Sequence, residues 1–180
     1  TLVVVTKFFP ASDVDLLAGL GVTDIGENRD QEASAKLESV AHRSGLRVHF
    51  IGQLQSNKAG SVARYADVVQ SVDRAKVLRA LDRGAVQAGR RLDVTVQVSL
   101  DDATGRGGVA PGDARGLADL VAACEALTLR GVMAVAPLGG EPRAAFARLR
   151  EVADGIRADH PQATWISAGM SGDLEDAVAE

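Results

Sequence analysis

A (β/α) barrel, one parallel sheet wrapped in helices, is the fold class this sequence predicts, and three observations carry it. Short β-branched runs alternate with longer stretches of helical period as far as the C-terminus; the runs are nearly all apolar, as when both faces of a sheet are covered; and no compositional break divides the chain. With 180 residues, 46% hydrophobic and 24% charged, the chain can form one domain over 1–180 around a continuous core.

The elements follow in order. Strands are expected at 2–6, 23–25, 47–51, 67–70, 93–99, 129–135 and 164–167. Between and after them lie the helix patterns SDVDLLAGL, RDQEASAKLESVAHRS, NKAGSVARYA, DRAKVLRALDRGAVQAG, GDARGLADLVAACEAL, EPRAAFARLREVADGIRADH and GDLEDAVAE, several opening on Ser, Asp or Asn as a plausible N-cap. A complete barrel needs eight strands and about 250 residues, so seven units leave the ring one strand short. The first and seventh strands would then face each other with unpaired backbone groups, which soluble proteins avoid. The expectation is a piece of a longer chain, shortened at both ends, with the eighth strand missing. The competing architecture is an open, doubly wound sheet, but no glycine-rich dinucleotide loop follows the first strand.

Composition narrows the function classes. A formal net charge of -4, with the 20 Lys and Arg spread along the chain, makes nucleic acid a poor partner. No apolar run approaches the roughly 20 residues that span a bilayer, and TLVVVTKFFP lacks the charged n-region of a signal peptide, so a soluble cytoplasmic protein is expected. The single cysteine, Cys124, reads as a small apolar residue on the inner face of a helix. His42, His49 and His160 have no metal-ligand spacing, and no metal is expected.

Active residues of such barrels come from the C-terminal ends of the strands. Lys7 directly follows VVVT, so its amine is expected at the barrel mouth beside apolar side chains that favour a neutral, nucleophilic amine able to condense with an aldehyde. The bland alternative is a lysine that ends a strand and reaches into solvent. Lys36, Lys58 and Lys76 fall in helix patterns. The second strand runs out into GENRDQE, the third into HFIGQLQSNK and the seventh into ISAGMSGD, so small polar residues gather at one rim. The last of these turns leads into a helix and offers backbone N–H groups and hydroxyls, the usual means of holding phosphate, although Ser-Gly turns before helices are often plain N-caps. GRGGVAPG, at Gly105 to Gly112, lacks the ending of a nucleotide-binding loop and reads as a flexible barrel loop. Trp165 reads as barrel packing.

In this order and spacing, VVVTKFFP, GENRDQE, HFIGQLQSNK, GVMAVAP and ISAGMSGDLEDA resemble the pyridoxal-phosphate homeostasis proteins, a family similar to the barrel domain of alanine racemase. The resemblance covers essentially the whole chain. It implies a TIM barrel of the alanine racemase N-terminal type, pyridoxal 5′-phosphate (PLP) as cofactor, and Lys7 as the lysine that carries it as a Schiff base. It also implies that Asn28 and Met133 lie near the cofactor, with Ser167, Gly169 and Ser171 near its phosphate. His49 and Asn57 match the family strings without an assigned role. Two departures stand out: the helix that usually precedes the first strand and the eighth-strand turn that completes the phosphate cup are both absent. The resemblance further implies PLP as the partner, PLP-dependent apo-enzymes as recipients, and a monomer. Intracellular PLP homeostasis is the implied function, with enzyme activity the minority reading. The alternatives are a PLP-dependent racemase or lyase acting on small amino acids, a Schiff-base aldolase, and a purely structural barrel. Racemisation by opposed bases needs a tyrosine, and the only one, Tyr65, is expected on the outside of the barrel.

Overall fold

The protein was analysed as a computed structural model, which describes residues 1–101 and 107–180. Seven strands form one parallel sheet in sequence order: β1 (Val4–Val5), β2 (Asp24–Glu27), β3 (Arg47–Phe50), β4 (Val68–Val72), β5 (Leu92–Gln97), β6 (Leu127–Met133) and β7 (Trp165–Ser167). The helices are α1 (Ala11–Gly19), α2 (Asp30–Glu38), α3 (Ala59–Tyr65), α4 (Ala75–Gln87), α5 (Ala114–Ala122), α6 (Pro142–Asp159) and α7 (Leu174–Ala179), each following the strand of the same number. All strand pairings are parallel, with β1 and β7 at the two edges.

The sheet is strongly curled. Arg47 on β3 stacks on the Trp165 ring on β7, 4.8 Å from its centroid. Four strand spacings would separate them by about 19 Å in a flat sheet. The curl gives a convex face under the helices and a concave face inside the barrel. Alternate residues Leu92, Val94, Val96 and Val98 join one core cluster with Val77, Leu81, Leu117, Val121, Leu149 and Ile156 from the helices. A second cluster joins Ile25 and Val48 to Val14 and Leu37. Burying each such side chain stabilises the fold by about 1.5–3 kcal/mol, so the helix layer supplies most of the cohesion. The concave face instead carries Asp24, Arg47, His49, Gln70, Asp93 and Arg130. The guanidinium of Arg130 lies 5.5 Å from the Trp165 ring, and its Nε donates to Asp93 at 2.7 Å. Asp93 also accepts from Arg47. Trp165 is thus barrel packing, as expected, but against two cations.

Three local expectations need correction. None of the helices has a side-chain N-cap hydrogen bond; the acidic residues Asp13, Asp30 and Glu32 lie instead in first turns, where they favour the positive end of the helix dipole. α2 stops at Glu38 instead of running on, because the Asp15 carboxylate accepts the backbone N–H groups of Ala41 and His42, at 3.3 and 2.9 Å, and pins the chain out of the helix. β6 begins two residues earlier than expected: the Ala126 N–H is tied to Asp82 Oδ1 at 2.9 Å, and its carbonyl accepts from Leu92 N. Cys124 lies just beyond α5, half-buried against the core, with Sγ 3.3 Å from Leu120 O. Among the described residues no helix is long and apolar enough to cross a membrane, and no group of His, Cys, Asp or Glu could hold a metal ion.

Candidate functional site at the C-terminal rim

Strand alternation decides which side chains face the barrel mouth. Val3 and Val5 approach Gly26 on the concave face, and Lys7 continues their series at the end of β1. The chain turns there, with Phe9 N donating to Thr6 O at 2.9 Å. Lys7 is half-buried, and its Nζ lies 5.2 Å from the Phe8 ring centroid. Among the described residues its ammonium has no hydrogen bond or ion pair, which leaves the amine available to a ligand.

Asn28 follows the concave positions Asp24 and Gly26. Its Oδ1 is buried without a hydrogen-bond partner, an arrangement that costs about 1–3 kcal/mol unless a ligand or water supplies a donor. The loop after β3 presses on this residue: a Cβ at Gly52 would stand 2.0 Å from Asn28 O, so only glycine fits. Met133 and Ser167 are register neighbours across β6 and β7, with Gln97 on the other side of Met133. Met133 and Ser167 therefore share the concave face at the C-terminal strand ends, and Lys7 and Asn28 follow the ends of β1 and β2 on the same rim.

After β7 the chain turns through 168–173 into α7. Gly169 has φ +87, the left-handed region, and a Cβ there would meet the Ala177 Cβ at 2.8 Å, so glycine lets the turn lie against the helix. Asp173 Oδ1 accepts the Met170 N–H, and the Ser171 side chain is exposed. The loop read as GRGGVAPG lies partly outside the described residues. Its described part returns to β5, where Val109 bridges Val98 and donates to Gln97 O at 2.8 Å.

Two residues that the sequence left without roles separate. His49 is buried inside the barrel, between Asp24 and Gln70. Asn57 is exposed and lines a groove with Asp30, Ser34 and Glu38 on the helix side. Three more were missed altogether. Glu27 belongs to β2 and is fully buried on the convex face, where Oε1 accepts from Thr6 Oγ1 at 2.6 Å and Lys36 Nζ at 2.7 Å. Lys36 also donates to Thr6 O at 2.6 Å, which clamps the peptide just before Lys7. Gln70 reaches across the interior to Ser167. The lysine, glutamate and glutamine lie in separate strings, and no local pattern in the sequence joins them. Tyr65 bridges the two core clusters from α3; burial, then the carboxylates of Asp30 and Glu27, push its phenol well above the ordinary tyrosine range. It sits on the helix side of the sheet, as expected.

A strand-end amine at the mouth of a curled parallel sheet, beside an unpartnered amide oxygen and a glycine-dependent turn, defines a class. The profile of the alanine racemase N-terminal domain matches residues 11–180, and the chain belongs to that family. The chain is 44% identical to the pyridoxal phosphate homeostasis protein of Mycobacterium tuberculosis over 195 residues, covering 98% of this chain and 76% of that protein. Within the alanine racemase N-terminal class it is therefore one of the pyridoxal phosphate homeostasis proteins. PipY of Synechococcus elongatus is 34% identical and superimposes with a TM-score of 0.93 without PLP and 0.90 with PLP bound, covering all of this chain and 86% of that one. Alanine racemase of Streptomyces coelicolor, 20% identical with a TM-score of 0.81 over 98% of this chain and 50% of that one, shares the fold alone.

Proposed function

We propose that this chain, as one domain, binds PLP at the concave rim and serves intracellular PLP homeostasis, with Lys7 holding the cofactor as a Schiff base. The observation that carries the reading is the half-buried Lys7 ammonium, unpaired among the described residues, at the mouth of a chain that resembles the PLP-bound PipY. The cofactor supplies an aldehyde and a phosphate dianion, and the rim residues suit both. Lys7 offers the amine, Asn28 Oδ1 offers an acceptor that needs a donor, and Met133 offers an apolar wall. Ser167 starts the turn, and Gly169 lets the backbone of 168–171 bend so that its N–H groups, with the Ser171 hydroxyl, can receive the phosphate.

Homeostasis, and not racemisation, is favoured by the position of Tyr65, whose phenol is buried on the convex side and cannot face Lys7 as an opposing base. Delivery to PLP-dependent apo-enzymes, a monomeric state and a cytoplasmic location complete the proposal. The test is an absorption spectrum of the purified protein with PLP, before and after borohydride, followed by peptide mapping. The expected label is on Lys7. A label on Lys36, Lys58 or Lys76 would overturn the assignment, and a protein that reacts with keto acids without a bound chromophore would be an aldolase instead.

A further inference from the structure

Side chains from four strands form one hydrogen-bonded chain through the barrel interior. Asp24 Oδ1 lies 2.9 Å from His49 Nε2, and His49 Nδ1 lies 2.8 Å from Gln70 Nε2. Gln70 Oε1 accepts the Ser167 hydroxyl at 2.7 Å. The second oxygen of Asp24 takes the Thr23 hydroxyl at 2.6 Å, and the backbone carbonyl of Gln70 takes that of Thr95 at 2.9 Å.

Each link dictates the next. A carboxylate only accepts, so His49 Nε2 carries the hydrogen. Burial disfavours the charged ring, and a neutral ring leaves a lone pair on Nδ1, which takes an amide hydrogen from Gln70. The amide oxygen of Gln70 is then turned toward β7. Ser167 has one hydrogen, and it goes inward. Turning that hydroxyl outward would strip Gln70 Oε1 of its partner, and reversing the whole chain would set a bare ring nitrogen against the Asp24 carboxylate.

We propose that Asp24, His49 and Gln70 are positioning residues that commit the Ser167 hydrogen to the barrel interior, so that Ser167 presents only lone pairs to the mouth and the donors to a phosphate come from the 168–171 backbone and Ser171. The proposal rests on the PLP reading for its ligand. A dianion attracts donors and repels lone pairs, so Ser167 fixes where the turn begins and does not itself hold the phosphate.

The test compares wild type, Ser167→Ala, Gln70→Met and the double variant by the ratio of pyridoxal to PLP dissociation constants, measured by spectral titration. Ser167→Ala should leave the ratio within about twofold, whereas Gln70→Met frees the hydroxyl to donate outward and should raise it by roughly threefold or more. The double variant should return to the wild-type ratio. A tenfold or larger fall in Ser167→Ala, with no rise in Gln70→Met, overturns the proposal. A second measurement needs neither ligand nor variant: nitrogen-15 spectra of the wild-type histidines should find His49 in the Nε2–H form, and the Nδ1–H form overturns the proposal. If wild type shows no preference for PLP over pyridoxal, the cofactor reading fails, and the histidine spectra still decide the polarity of the chain.

Discussion

Lys7 and Lys36 stand at the same strand end on opposite faces of one sheet, and their surroundings divide the molecule. On the convex side Lys36 is nearly enclosed, 9% exposed, and its three hydrogens have Glu27 and the Thr6 carbonyl to meet. Beyond the end of β1, Lys7 has its ammonium 5.2 Å from the Phe8 ring centroid and no hydrogen bond or ion pair among the described residues. The same residue type is a buried structural cation in one place and an available amine in the other, although Lys36 donates to the carbonyl of the residue directly before Lys7. Glu27 Oε1 on the convex side is met by Thr6 and Lys36, whereas its Oε2, like Asn28 Oδ1 at the rim, is buried without a hydrogen-bond partner.

The largest expected effect would break the convex side. Lys36→Met leaves the buried Glu27 carboxyl without its ionic partner, and should cost about 3–5 kcal/mol in chemical denaturation. Adding Glu27→Met should recover most of that loss, since replacing both members of a buried pair with apolar residues is often neutral. If Lys36→Met were neutral by itself, the division between the two lysines would collapse.

The next effect concerns acid. Burial keeps His49 below its ordinary range, so between that range and its lowered folded value the unfolded chain binds the extra proton, and stability falls with falling pH. Asp24 acts in the same direction at lower pH: burial pulls its carboxyl up, but hydrogen bonds from Thr23 and His49 outweigh it and hold it below the ordinary carboxylate range. Its contribution is present above the ordinary carboxylate range and lost as pH falls through the lowered value. Each group can steepen the stability curve by up to about 1.4 kcal/mol per pH unit. Urea midpoints measured from pH 7 to pH 5 should show the histidine part in wild type and not in His49→Asn.

A smaller effect is expected on the concave rim. Lys7→Ala should alter stability by no more than about 0.5 kcal/mol, because the side chain has little packing to lose, while removing the cofactor's visible band. A large fall in melting temperature without cofactor would make Lys7 structural, like Lys36. The smallest effect tests how well the helix layer shields a reactive group. Burial, and then the Asp82 charge, push the Cys124 thiol up to about 11, so alkylation at pH 8 should be slow, and rapid labelling would mean that this layer opens readily.

The order of strands and helices was legible in the sequence because apolar alternation and helical period are local properties. The rim position of Lys7 was legible in the same way, since a residue just past an apolar strand must emerge at that strand's end; Asn28, Met133 and Ser167 were implied by the family resemblance. Helix ends were less legible, as the Asp15 carboxylate on Ala41 and His42 is a contact between α1 and the segment that follows α2. The interior was not legible at all. Gln70 and Ser167 alone stand 97 positions apart, and nothing local in HFIGQLQ or DVVQSV says that Asp24, His49, Gln70 and Ser167 meet. By itself the sequence determined the alternation of elements and the rim position of the candidate amine. Only the tertiary structure decided which lysine is sealed and which is open, and which way the Ser167 hydrogen points, because both depend on sheet curvature that brings distant strands within hydrogen-bond reach.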